Sequence, residues 1–345
     1  MHSVVNRKEM MEALRKVALG LSKGVRSEVD GFDSVRFEDG MMWASNQFVS
    51  VGVPSPIKEF NCSVKGAKLL EILNRTSGET IEFTFNDFEL SWKSGRAKGV
   101  FQCVVGNQIR MPSDEFADCP PDLLDALLFC KVNGNFGKKI PVFVDRKRAY
   151  SISSQQVSVF NLSGEFNGTM YLEIEAINLI KRIGRPVGSY IDGNFVHFKM
   201  DNGSFLKLTM VDSGDFRKSG AVDLVTRAQL KPGDSVFTMT NDFTEAIALL
   251  DNFDMKGKFI PAKMSGYDGY VKISKAHCGD DVCYEVPIAG DVFSDKISFD
   301  TKWVVGLSFN EDALVYITEV AMGMKILVLK DAQKMRAVAS VREGM

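Results

Sequence analysis

The sequence predicts an α+β chain of three tandem domains, each with two helices packed on antiparallel sheet. Two observations carry this. Amphipathic helical segments recur at long spacing along the 345 residues. Each is followed by stretches in which apolar and polar residues alternate between turn signals. Composition sets the bounds: 45% hydrophobic and 25% charged residues are ordinary for globular protein and leave apolar material for a core in each domain.

The first set of helices reads NRKEMMEALRKVA from Asn6, PPDLLDALLFCKV from Pro120 and TNDFTEAIALLDNF from Thr240. Each opens on a capping-type residue or a proline, as helix starts do. A second set lies about sixty residues further on: SVKGAKLLEILNRT from Ser63, LEIEAINLIKRIG from Leu172 and SFDTKWVVGLSF from Ser298. Between the two helices of each repeat lie VRFEDGMMWASNQFVSVGV, PVFVDRKRAYSISSQQVSVFNL and PAKMSGYDGYVKISKAHCGDDVCYEVPI. After the second helix come ETIEFTFNDFELSWKSGRAKGVFQCVV, GSYIDGNFVHFKMDNGSFLKLTMV and DALVYITEVAMGMKILVLKDAQKMRAVASV. These stretches are rich in Phe, Val, Ile and Tyr, and Asp192-Gly193 and Asn202-Gly203 are hairpin signals. Each repeat therefore reads helix, strands, helix, strands, in a domain-sized unit of about 110–120 residues. Pro112, Pro120 and Pro121 mark one boundary, and Gly214, Gly220, Pro232 and Gly233 the other. The expected domains are 1–115, 119–218 and 233–345.

Charge points to a partner. The net charge of −2 excludes a uniformly basic coat but not a segregated basic stripe. On a helical wheel, Ala176, Ile177, Leu179, Ile180 and Ile183 share one side, and Lys181, Arg182 and Arg185 lie opposite. On the Asn6 helix, Lys8, Arg15 and Lys16 oppose Met10, Ala13, Leu14 and Val17. On the Ser63 helix, Lys68 and Arg75 oppose Leu69, Leu70 and Leu73, with Lys65 at the margin. One such helix alone reads as a solvated surface helix. Three of them across two repeats, with no base-reading motif, suit phosphate contact without sequence choice. Glu9, Glu12, Glu71 and Glu175 dilute the cations, and the third repeat offers Asp242, Glu245 and only Lys302.

Catalytic chemistry has no residues to name: there is no P-loop, GxGxxG after a strand, or GxSxG. Clustered carboxylates for a metal-dependent nuclease are missing. His277, Cys278 and Cys283 resemble a fragment of a metal site but lack a fourth ligand and CxxC spacing, so no metal and no cofactor are expected. His197, within a strand, reads as structural or solvent-facing. The six cysteines form no disulfide framework and read as buried free thiols. With no secretory-type leader and no apolar run long enough to span a membrane, a reducing, cytoplasmic setting is expected.

The middle repeat's PPDLLDAL, AYSISSQQVSVFNL, EIEAINLIKRIG and LKLTMVDSGDF, set in the threefold order, resemble the DNA sliding clamp family, the beta subunit of bacterial replicative polymerases and its phage relatives. The resemblance covers essentially the whole chain. It implies three DNA-clamp domains and a head-to-tail homodimeric ring, with six domains and twelve inner helices. Helices at roughly 8–10 Å spacing and roughly 10 Å across leave a bore of about 21–28 Å, room for a duplex. The cations would then face phosphates, mostly through water. The implied protein is a processivity factor that slides on double-stranded DNA and tethers the replicative polymerase and the clamp loader. It also implies that Lys23 and Arg26 touch DNA at the ring face, a stretch that equally reads as a solvated turn. The family's hydrophobic peptide pocket would take one wall from Ser153, Ser154, Gln155, Gln156 and Val157, and another from Val338, Ala339, Ser340 and Val341. Ordinary strand packing is the other reading of these residues. The chain lacks the family's Thr-Asp-Gly-His-Arg-like segment there. Two alternatives stand beside the dimeric clamp: a ring of other stoichiometry, and a β-rich assembly protein that encircles no DNA.

Overall fold

The computed structural model describes residues 1–22, 31–86, 88–104, 115–131, 140–153, 155–211, 236–253, 260–277, 280–288, 293, 295–320 and 324–341. Lys23, Arg26, Ser154 and Cys278, and most of both expected domain boundaries, lie outside these residues.

Among the described residues stand five α-helices: α1 (Arg7–Val17), α2 (Gly66–Arg75), α3 (Leu123–Cys130), α4 (Ile174–Ile183) and α5 (Asn241–Asp251). Capping sets two of the starts. The Asn6 side chain accepts hydrogen bonds from the backbone N–H groups of Lys8 and Glu9, and the Thr240 hydroxyl accepts one from Phe243. Apolar spacing sets the buried faces: Met10, Met11, Leu14 and Val17 on α1, and Ile177, Ile180 and Ile183 on α4.

The strands of the first repeat are β1 (His2–Asn6), β2 (Ser34–Glu38), β3 (Met41–Ser45), β4 (Val49–Pro54), β5 (Cys62–Lys65), β6 (Thr80–Asn86), β7 (Glu89–Ser94) and β8 (Ala97–Gln102). The second repeat supplies β9 (Ala117–Asp118), β10 (Val142–Val144), β11 (Arg148–Ile152), β12 (Gln156–Asn161), β13 (Met170–Leu172), β14 (Pro186–Asp192), β15 (Phe195–Met200) and β16 (Phe205–Thr209). The third supplies β17 (Val236–Thr238), β18 (Ala262–Tyr267), β19 (Tyr270–His277), β20 (Asp280–Pro287), β21 (Lys296–Phe299), β22 (Leu314–Val320), β23 (Met324–Lys330) and β24 (Lys334–Ala339).

The chain forms two compact units, 1–124 with 164–211, and 125–163 with 212–345. In the first unit an eight-stranded antiparallel sheet runs β5-β2-β3-β4-β16-β15-β14-β9, and a four-stranded sheet runs β1-β6-β7-β8. In the second unit one sheet runs β10-β11-β12-β24-β23-β22-β17, and a four-stranded sheet runs β20-β19-β18-β21. Sheets thus continue from repeat to repeat. Leu206 pairs with Val51 and Val157 with Ala337, so the middle repeat is shared between the units.

One expected helix does not form. The stretch from Ser298 belongs to β21 and then makes a single 3-10 turn, Thr301–Trp303, where an α-helix was expected. Asp300 caps that turn by accepting from the Lys302 N–H. The next residues, Val304 and Val305, are β-branched and poor helix formers, and Gly306 at φ +71° ends the turn.

Candidate nucleic-acid interface and partner surface

The predicted cations that the structure describes lie on helices and helix ends of the first unit. Helix α1 rests on β3 and β4, α2 on β2 and β5, and α4 on the neighbouring β16. Their apolar sides bury against the sheet, which leaves Lys8, Arg15, Lys68, Arg75, Lys181, Arg182 and Arg185 exposed and Lys16 half-buried. Glu9, Glu12, Glu71 and Glu175 are exposed on the same helices. Arg75 pairs with Glu71 at 2.7 Å, one turn away. Lys65 is no helix-face residue: it ends β5 and pairs with Asp33 at 2.5 Å.

Two devices missed by sequence reasoning fix where these cations emerge. Arg7, half-buried, donates from Nε to the Leu73 carbonyl at 3.1 Å and to the Thr76 hydroxyl at 3.2 Å. It ties the start of α1 to the carbonyl end of α2, where a cation also suits the helix dipole. The Asn202 amide donates to the Ile183 carbonyl at 2.7 Å, and Asp201 accepts from the Arg185 N–H at 3.1 Å. The β15–β16 turn thereby caps α4 just beyond Lys181 and Arg182.

The second unit holds the described residues of the expected peptide surface on two adjacent strands. Gln156 pairs with Val338 across β12 and β24, and the Ala339 N–H donates to the Gln155 carbonyl at 2.8 Å. Gln155 is exposed; Ser153, Val157, Ala339, Ser340 and Val341 are half-buried; Val338 is buried. Gln156 is only 2% exposed and turns inward, where its Oε1 accepts from the Arg336 guanidinium. Arg336, also 2% exposed, donates to the Phe129 carbonyl at 2.7 Å in the last turn of α3 and lies over the Phe129 ring. Burial pulls its pKa down to about 10. A separate cavity of about 300 Å³ opens at the other end of the same strand pair, lined by Leu128, Phe129, Phe160, Leu307 and Lys334 among others.

His197 is structural in the plainest sense: 3% exposed, with neither ring nitrogen hydrogen-bonded. Burial, then the nearby Lys207, lowers its pKa to about 4. Of the cysteines, Cys62 and Cys130 are buried as expected, Cys103 and Cys119 are half-buried, and Cys283 is exposed on β20. Among the described residues no group of three His, Cys, Asp or Glu stands close enough to hold a metal. No described helix is long and apolar enough to cross a membrane.

This arrangement, helices over extended antiparallel sheets that pass from repeat to repeat, is the fold of the DNA polymerase sliding clamps. The chain superposes on the Helicobacter pylori beta clamp bound to DNA ligase peptide with a TM-score of 0.79 at 12% identity, over 99% of this chain and 100% of that one. A putative DNA polymerase III beta subunit from Eubacterium rectale matches with a TM-score of 0.76 at 11% identity, over the whole of both chains. The DNA polymerase sliding clamp from Bacillus subtilis matches with a TM-score of 0.72 at 15% identity, over 99% of each. No family model and no curated protein matches the sequence.

Proposed function

We propose that this chain is a DNA polymerase processivity factor. Two copies close head to tail into a ring that encircles duplex DNA, slides without sequence preference, and tethers the replicative polymerase and other replication proteins. The observation that carries the reading is the joint one: a sliding-clamp fold over the full length, and exposed cations on α1, α2 and α4, on the sides turned away from the sheet. A ring is held by topology, so few and diffuse phosphate contacts suffice, and they permit sliding where base contacts would stall it. The role needs no catalytic group. The three domains, 1–115, 119–218 and 233–345, each supply helices to the bore. With the third domain's second helix reduced to a 3-10 turn, the described helices of two chains line it with ten α-helices instead of twelve.

Closure needs strand edges, and each four-stranded sheet has them. Edge strand β8 follows Arg96 and carries Lys98 and an outward Val100, 51% exposed; edge strand β20 carries Asp280, Asp281 and Glu285. Pairing β8 of one copy with β20 of the next joins opposite charges and removes both free edges. Partner peptides dock on the surface that includes Gln155, Val157 and Ala339. Multi-angle light scattering tests the assembly: a particle of twice the 38.3 kDa chain mass supports it, and a monomer at micromolar concentration overturns it.

A further inference from the structure

Two cysteines from different sheets of the first unit meet. Cys62 opens β5 in the eight-stranded sheet, and Cys103 follows β8 in the four-stranded one. The backbone brings them together: Val104 N–H donates to the Ser63 carbonyl at 2.8 Å, and Cys103 N–H to the Phe88 carbonyl at 2.9 Å. Neither cysteine is in a disulfide, and the two thiols are near enough to perturb each other's titration. Cys62 is buried, while Cys103 is half-exposed at the end of the edge strand. One thiol of the pair is therefore partly open to solvent, and the other is buried.

We propose that Cys103 and Cys62 form a site of reversible oxidation, with Cys103 the entry thiol and Cys62 the resolving thiol, closing to an intrachain disulfide that staples β8 to β5. The reagent class is a small-molecule disulfide, such as oxidised glutathione. The Cys103 thiolate attacks one sulfur of that disulfide, forming a mixed disulfide and releasing one glutathione thiolate. Cys62 gives its proton to solvent and attacks the Cys103 sulfur, forming the Cys62–Cys103 bond and releasing the second glutathione. Two protein thiols are oxidised and one glutathione disulfide is reduced to two thiols, so electrons and atoms balance. Burial raises the pKa of both thiols, Cys62 to about 12, so the exchange is slow at neutral pH and speeds up as pH rises. The staple closes a long loop and holds the end of β8, the outermost strand of its sheet in one chain.

The test is peptide mapping of the full chain after incubation with oxidised glutathione, digested with trypsin without reductant. Trypsin releases Cys62 in peptide 59–65 and Cys103 in peptide 99–110. The expected result is one cross-linked species joining these two peptides, returned to the separate peptides by dithiothreitol. In Cys62→Ser the expected product is glutathione retained on Cys103. The exposed Cys283 reports that the reagent acted. A wild-type protein that keeps glutathione on Cys103, or that modifies Cys283 and leaves both Cys62 and Cys103 as thiols, overturns the proposal. The wild-type readout needs no variant to fold.

Discussion

At the scale of single residues, two buried polar groups control stability. His197 has its folded pKa lowered to about 4 by burial, below the usual value of 6.5. Between those values the unfolded chain binds the proton and the folded chain does not. Stability from this group is therefore complete above pH 6.5 and is lost as pH falls toward 4, by up to about 3 kcal/mol. Urea unfolding at pH 7 and pH 5 checks this. His197→Phe should lessen the acid sensitivity, and an unchanged pH dependence in that variant would refute the assignment. Arg336 closes the carbonyl end of α3 and donates to the Gln156 Oε1. Arg336→Ala should cost about 2–4 kcal/mol, since it removes two charge-assisted hydrogen bonds in the interior, to the Phe129 carbonyl and to the Gln156 Oε1. The double replacement Arg336→Met with Gln156→Leu should recover part of that loss, because buried polar groups and charges exchange well for apolar ones of similar size. Additive losses in denaturant titrations would show that the two side chains do not act together. Neither contact of Arg336 was legible in the sequence. The hydrogen bonds that define them join residues 180 and 207 positions apart, and no local pattern marks such a pair.

At the scale of elements, the edges proposed to close the ring give the clearest prediction. Lys98→Glu should shift the dimer toward monomer on sizing columns, and Asp280→Lys with Asp281→Lys in a second copy should restore the mixed dimer. A dimer insensitive to both changes would place the interface elsewhere. Most elements could be read ahead of the structure because local signals agreed with the tertiary fold. Asn6 and Thr240 cap the helices they precede, and the alternating stretches became β2–β4, β6–β8, β14–β16 and β22–β24 in order. The segment from Ser298 misled because Asp300 looks like a helix cap and Trp303, Val304 and Leu307 fit helical spacing. Two adjacent valines and a glycine in the left-handed region outweigh those signals and stop the helix after one turn. The candidate site divides the same way. Exposure of Lys68, Lys181 and Arg182 followed from helical periodicity, whereas the burial of Gln156 did not follow from strand alternation alone. Its inward turn is set by Arg336 on β24.

At the scale of the whole molecule, electrostatics and topology make separable contributions. Reversing Lys181 and Arg182 to Glu should weaken binding to a short duplex and lower the salt slope of log K, by up to about 2 if both contact phosphates directly. Dimer mass should not change, since both side chains are exposed. An unaltered salt slope would remove α4 from the DNA-facing surface. Encirclement itself is tested by loading the protein on a nicked circular plasmid, separating free protein, and then cutting the plasmid once. Protein that stays on the circle at high salt and leaves when the DNA is linearised is held as a closed ring. Equal retention on circular and linear DNA, or release from both at high salt, would contradict that topology.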